Sequence, residues 1–482
     1  MNGLLINGMW DAGHGPVLNS ISPHDGQIFW TGNEASAAQV EAAVEAAAGA
    51  FADWAFTPAE DRLAIVNRFA ELVDERRSQL ADLISLEVGK ARWDAAGEVG
   101  SMVGKAALSA KAYRERAGLT DNGQLRVEHR PLGVLVVLGP FNFPGHLANG
   151  HIMPALLAGN TIVFKPSEQA PAFGEAMVEL WALAGAPAGV INLVQGGATV
   201  GNALVNNSAV RGVLFTGGVA AGRAIHRSLA GRPEVQLALE LGGNNPLIAF
   251  NVGDREEAAR IIVRSAFVSA GQRCTCARRL ITNDQALVDR VVQITRELTV
   301  GDPLATDQPF MGPVISAPAA RAVVAAQERL VADGGIVLQP ASQPSGDSAY
   351  VSPSVIDVTT VTHRPDEEVF GPLLQVIMVD SIDDAIAEAN DTAFGLVAGL
   401  VSHDAALWDY VRPRLRAGIV NWNKPTVGAS GAAPFGGIGI SGNHRPAGYA
   451  ASDYCSFPVA SLMAPDVKDD GPLHGADHER KA

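Results

Sequence analysis

The chain has 482 residues, 47% hydrophobic and 18% charged, with 36 Lys and Arg against 51 Asp and Glu, a formal net charge of −15. This is globular composition, and at roughly 150 residues per domain the length predicts about three units or two larger ones. The acidic balance excludes a protein-wide surface for nucleic acid or anionic membrane, and no apolar run approaches the roughly 18 residues of a membrane span.

The first residues, 1–8, carry neither a basic region nor a long apolar stretch, which argues against a secretory signal. Three cysteines, Cys274, Cys276 and Cys455, are too few for a disulfide framework and predict a cytoplasmic protein. Residues 38–54 are Ala-rich and read as helix. Thr57-Pro58-Ala59-Glu60 then reads as a capping box with Pro at the first helical position. Leu63, Val66, Phe69, Val73, Leu80 and Ile84 continue that helix at helical spacing to Gly89, and a third helix is predicted over 94–116. Pattern alone makes all three packing surface.

From Gly133 the pattern changes. Short apolar runs at 134–138, 161–164, 190–194, 212–215 and 235–239 alternate with helical stretches at 147–158, 172–184, 199–206 and 219–229. Continuously apolar strands between helices predict an α/β fold with a buried parallel sheet. Ligands of such sheets bind beyond the carboxyl ends of the strands, so the residues just after each strand are the place to look for chemistry. A second α/β unit follows, with helix 254–270, the run Gly271-Gln272-Arg273-Cys274-Thr275-Cys276, a strand at 280–282, helix 284–298 and further alternation to about 440. From 464 the chain is polar and charged, and a tail is predicted there.

Cys274 is read either as a nucleophile or as a small buried hydrophobe. Arg273 beside it would lower its pKa and raise the thiolate fraction. A Cys-x-Cys zinc half-site would need four ligands, and only one other cysteine exists. Glu240 ends an apolar strand, where partial desolvation would raise its pKa and suit it as a general base; a surface carboxylate at a strand end is the other reading. Lys165 and Glu168 follow a strand and could both bond ribose hydroxyls, Glu168 also repelling a 2′-phosphate and so favouring NAD over NADP. Thr216-Gly217-Gly218-Val219-Ala220-Ala221-Gly222 runs from strand into helix and would offer backbone amides to a pyrophosphate, or be a plain turn. Asn142 offers an amide donor at another strand end.

The ordered motifs are more specific than any part. They are Pro140-Phe141-Asn142-Phe143-Pro144, Phe164-Lys165-Pro166-Ser167-Glu168, Phe215-Thr216-Gly217, Leu239-Glu240-Leu241-Gly242-Gly243, Gly271-Gln272-Arg273-Cys274, Glu368-Val369-Phe370-Gly371-Pro372 and Pro434-Phe435-Gly436-Gly437. Over nearly its whole length the chain resembles the aldehyde dehydrogenase superfamily. The resemblance implies a Rossmann-like NAD-binding domain (1–113 and 132–241), an α/β catalytic domain (242–440), a small β oligomerisation element (114–131 and 441–463) and a polar tail (464–482). It implies Cys274 as nucleophile, Asn142 with the Cys274 amide as oxyanion donors and Glu240 as the base that activates water. It gives Lys165 and Glu168 to the adenosine ribose, residues 217–222 to the pyrophosphate, and Glu368 and Phe370 to the nicotinamide ribose and ring. Cys276 is implied to be a neighbour without a catalytic role. Family members are homodimers or homotetramers.

Phe143-Pro144-Gly145-His146-Leu147, Asn149-Gly150-His151, the run 271–279, Asn421-Trp422-Asn423-Lys424-Pro425 and 441–446 look like a narrower branch of that superfamily, one that acts with NAD in arginine catabolism. Its substrate is an acidic semialdehyde with two carboxylates besides the aldehyde; succinate or glutamate semialdehyde are the alternatives. Such a dicarboxylate calls for local cations, and Arg273, Lys424, His444 and Arg445 are the candidates. A catalytically silent relative is disfavoured by the retained Cys274, Glu240 and Asn142, and a CoA-acylating one by Glu240. Gly218 stands where many members have Ser, and Asn244-Asn245 replaces a commoner Lys-containing turn, which leaves cofactor affinity open.

Overall fold

A computed structural model describes residues 3–467, so residues 468–482 of the polar tail lie outside it. Two mixed seven-stranded sheets with helices on their faces form the body. The first has the spatial order Gln236–Glu240, Val210–Thr216, Val134–Leu138, Thr161–Lys165, Ile191–Leu193, Leu4–Ile6, Met9–Asp11. The first five are parallel and the last two antiparallel. The predicted apolar runs all became strands because both faces of this sheet are covered: Val134–Leu138 and Thr161–Lys165 are buried at every position. The chain leaves Val134–Leu138 in one direction, then returns to its other side, so the switch point lies between Val134–Leu138 and Val210–Thr216. The register aligns Leu138 with Lys165, and Thr216 with Glu240, along one carboxyl edge.

The second sheet runs Ile336–Gln339, Ser354–Asp357, Leu373–Met378, Ala277–Thr282, Asn245–Ala249, Val397–Val401, Ile419–Trp422, all parallel except the first pair. Residues Thr120–Asp121, Leu125–Pro131 and Ser456–Leu462 form a separate three-stranded antiparallel sheet. Val17–Ile21 pairs with Ile28–Asn33 in a hairpin. No helix of the described residues is long and apolar enough to cross a membrane.

Three local expectations are corrected. The capping box is at Ser36 and Gln39, opening helix Ala37–Phe56; Thr57 instead donates its hydroxyl back to the Asp53 carbonyl at 2.9 Å. The amphipathic run to Gly89 is two helices, Ala59–Glu75 and Arg77–Val88, because Arg76 (φ −105°, ψ 18°) leaves helical geometry. The predicted helix to 270 ends at Phe267. Ser269, Ala270 and Gly271 then take successive positive φ angles of 55°, 54° and 69°, a turn no helix can carry.

Candidate active site

That left-handed turn aims Cys274. Left-handed backbone at Ser269 and Ala270 costs about 1–3 kcal/mol per residue and persists only where neighbours over-determine it. Here the Ser269 hydroxyl bonds the buried Asp94 carboxylate, and Arg278 donates to the Gly271 carbonyl at 2.7 Å. Gly271 is obligatory in a second sense, since a Cβ there would sit 2.2 Å from the Gly371 carbonyl oxygen. On the other side of Cys274, Asn245 donates its amide to the carbonyls of Cys274 (2.7 Å) and Cys276 (2.9 Å) and accepts from the Val397 N–H. The Asn244-Asn245 pair is thus explained by packing: Asn245 clasps the cysteine loop, and Asn244 bonds Asp366 at 2.9 Å.

A cavity of about 1000 Å³ opens between the carboxyl edge of the first sheet and the amino edge of the second. It brings together Cys274, Glu240, Asn142, Lys165, Glu168, Glu368 and Phe370, along with Thr216–Ala221. Asn142 is 8% exposed and donates to the Gln272 carbonyl at 2.7 Å, two residues before Cys274. Its second amide hydrogen stays available.

Glu240 is 5% exposed. Its Oε1 accepts from the Ala447 N–H at 3.1 Å, while Oε2 has no partner. Burial pushes this carboxyl well above the usual range, against the one stabilising backbone bond. The segment 441–447 holds it in place. Leu241 N–H donates to the Ser441 carbonyl, and the Asn443 amide bonds both Leu239 N–H and the Leu237 carbonyl.

The Cys274 thiol is also pushed up, first by burial, then by the charges of Glu368 and Glu240, with Arg278 pulling the other way. The predicted effect of Arg273 is corrected by this. Arg273 is turned away to Asp94 at 2.5 Å and lies over the Phe143 ring at 4.9 Å, so Arg278 is the cation the thiol feels. Arg278, 1% exposed, bridges the Gly271, Arg273 and Gly371 carbonyls and the Glu368 carboxylate at 3.5 Å. Two consecutive arginines near the start of an apolar strand, four residues after Cys274, were its signal in the sequence.

At the far end of the cavity, Lys165 Nζ donates to the carbonyls of Gly196 (2.6 Å) and Pro166 (2.8 Å), with Glu168 at 3.8 Å. An ammonium has three N–H groups, so one remains for a ligand. Burial lowers the Lys165 pKa, and Glu168 and Glu34 oppose the shift. Helix Val219–Ser228 begins at Gly218 with no side-chain cap, and its first-turn residues Val219–Ala221 line the cavity. Unsatisfied N–H groups there favour an anion. Gly222 is outside the cavity; a Cβ there would meet Leu241 at 2.5 Å, so helix-on-strand packing requires the glycine. The Thr216 hydroxyl is engaged by the buried His151 ring at 3.2 Å. Phe370 meets Phe141 edge to face, 5.9 Å apart.

The predicted carboxylate partners are not brought to this cavity. Lys424, His444 and Arg445 are exposed, and Arg273 is held by Asp94. Cys276 is fully buried. Among the described residues no group of three or more His, Cys, Asp or Glu could hold a metal.

Comparison with known proteins gives a consistent picture. The profile of the aldehyde dehydrogenase family matches residues 10–458. The chain is 51% identical over 476 residues to N-succinylglutamate 5-semialdehyde dehydrogenase of Paraburkholderia xenovorans (strain LB400), covering 97% of this chain and 98% of that one. It is 50% identical to N-succinylglutamate 5-semialdehyde dehydrogenase 2 of Caulobacter vibrioides, covering 97% of both. Among solved structures it is similar to a variant of aldehyde dehydrogenase C from Pseudomonas syringae in complex with NAD+ and octanal, with a TM-score of 0.91, 31% identity, and coverage of 96% and 97%.

Proposed function

Because the chain belongs to the aldehyde dehydrogenase family, we propose that it oxidises N-succinyl-L-glutamate 5-semialdehyde to N-succinyl-L-glutamate with NAD, in arginine catabolism. The observation that carries this reading is the meeting of Cys274, Glu240 and Asn142 at one cavity, in a chain half identical over its length to relatives named for that substrate.

The Cys274 sulfur attacks the aldehyde carbon and the carbonyl oxygen becomes an oxyanion. The free N–H of Asn142 and the Cys274 backbone amide stabilise that charge as it develops, the interaction that lowers the barrier most in such sites. Because burial pushes the thiol up, it must lose its proton as the substrate is attacked, and that proton leaves to solvent through the open cavity, which keeps the unpartnered Oε2 of Glu240 free for the later step. A nicotinamide cofactor held by the residues named below would supply the acceptor for the hydride that leaves the thiohemiacetal carbon. The resulting thioester is attacked by water, whose proton passes to Glu240 as the acid leaves and Cys274 is restored.

The residues present fit the cofactor. The third N–H of Lys165 and the half-exposed Glu168 carboxylate suit ribose hydroxyls, and the uncapped amides at 219–221 suit a pyrophosphate. Phe370 and Glu368, beside the thiol, would hold the nicotinamide end. Glu168 would repel a 2′-phosphate, which favours NAD over NADP. Residues 1–113 with 132–241 would form the cofactor domain and 242–440 the catalytic domain, while 114–131 with 441–463 would pair subunits into a homodimer or homotetramer. Three free cysteines fit a reducing cytoplasm.

The test is a panel of N-succinylglutamate, glutamate and succinate semialdehydes with NAD and with NADP, read as reduced cofactor formed by wild type and Cys274→Ala. The reading expects the succinylated substrate and NAD to give the highest kcat/KM, and Cys274→Ala to be silent. A higher kcat/KM for either shorter semialdehyde would overturn the substrate assignment.

A further inference from the structure

Helix Arg92–Arg116 was read from the sequence as packing surface, yet it carries a half-buried lysine for which the protein supplies no partner. Among the described residues Lys105 makes no hydrogen bond and no ion pair, and burial alone lowers its pKa to about 8. Its ammonium lies against Gly150, where a Cβ would come within 3.1 Å of Nζ and compete for its place.

The surroundings are cationic and organised around Phe143, the residue after Asn142. Lys90 Nζ sits 3.5 Å from the Phe143 ring centroid and Arg273 lies over the same ring at 4.9 Å. His146 meets that ring 6.2 Å away, edge on. Lys90 and Arg273 are neutralised within the protein, by Glu98 at 2.6 Å and Asp94 at 2.5 Å. Lys105 is not. Together with burial, the charges of Lys105, Lys90 and Arg273 all reach the His146 imidazole and hold it neutral. His146 Nδ1 is buried without a partner.

A cluster of three cations and two carboxylates therefore carries one uncompensated positive charge and one orphaned imidazole nitrogen. None of its members lines the large cavity, but two of them are tied to it through chain neighbours: Phe143 follows Asn142, and Arg273 precedes Cys274. The exposed Gly431 lies against Leu108, one turn beyond Lys105 on the same helix.

We propose that Lys105, with His146 beside it, is the receptor for a carboxylate of the substrate. This rests on the acidic-semialdehyde reading above. The ammonium and an imidazole N–H are both donors, and a carboxylate accepts both. Its arrival supplies the missing negative charge.

The test compares wild type, Lys105→Met and Lys105→Arg on N-succinylglutamate semialdehyde and on hexanal, and measures competitive inhibition by N-acetyl-L-glutamate. Lys105→Met is expected to raise KM for the acidic substrate and Ki for N-acetylglutamate by about 10- to 100-fold, the range of a lost charge-assisted bond. KM for hexanal is expected to move less than about threefold, with Lys105→Arg recovering part of the loss. Removing an unpaired charge also leaves Tm equal or higher, so misfolding would be visible. An equal rise in KM for both aldehydes, or an unchanged Ki, overturns the proposal. If wild type instead prefers hexanal while Lys105→Met still weakens N-acetylglutamate, the carboxylate receptor stands and the substrate assignment falls.

Discussion

Asn245→Ala is the sharpest perturbation of the loop that carries Cys274. Asn245 is 1% exposed and makes three bonds, to the Cys274 and Cys276 carbonyls and from the Val397 N–H. Each buried group left unpaired costs about 1–3 kcal/mol, so three give a floor of about 3 kcal/mol. Unfolding entropy of about 2 cal/mol/K per residue, over 482 residues, is about 1 kcal/mol/K, so Tm should fall by about 3 °C or more. Asn245→Asp should be no milder, because it aims a carboxylate at two carbonyl oxygens while keeping only the Val397 bond. Differential scanning fluorimetry gives Tm, and the NADH burst rate reports how well Cys274 is still aimed, with about tenfold slowing expected from a misplacement near 1 Å. A Tm within 1 °C of wild type together with a full burst rate would refute the claim that Asn245 holds the loop.

Other expectations follow from the same geometry. Asn142→Ala should lower kcat by about 10²–10³ with a smaller change in KM, read by steady-state kinetics, since its free N–H acts on the developing oxyanion. Glu240→Gln should release one equivalent of NADH and then stall, with turnover reduced about 10²–10⁴-fold. Because the folded Glu240 carboxyl is raised above its unfolded value, its burial costs nothing at a pH below the unfolded pKa and increasingly destabilises as pH rises through the folded one. Glu240→Gln should therefore gain Tm at pH 8 and gain none at pH 4, and in wild type kcat should fall as pH drops through the raised value. Glu168→Gln should raise kcat/KM with NADP by about tenfold at low salt, an effect that added salt diminishes.

What the sequence revealed depended on whether a residue's local context matched its final surroundings. The strands Val134–Leu138 and Thr161–Lys165 were legible because both faces are apolar-packed and the runs are unbroken. Cys274 and Glu240 were legible because each follows a recognisable element. The strand Ala277–Thr282 was read only from residue 280, since Arg278 and Arg279 are polar in sequence yet buried, bonded to carbonyls such as Gly271 and Asn244. The strands Leu4–Ile6 and Met9–Asp11 escaped because three residues set no period, and their pairing is with distant Leu193. Arg273 was credited with acting on the thiol because it is adjacent in sequence; Asp94, 179 residues away, claims it instead. Lys105 was hidden in an Ala-rich helix whose partners pattern could not name.

The grip of residues 441–447 on Glu240 also bears on biosynthesis. A ribosome that has delivered the first 440 residues has supplied every strand of both sheets, Cys274 and Asn142, but not the peptide N–H of Ala447 that holds Glu240. On the proposed mechanism, a nascent or nicked molecule lacking residues 441–447 would be stranded as an acyl carrier, loaded on sulfur with no prepared water to discharge it.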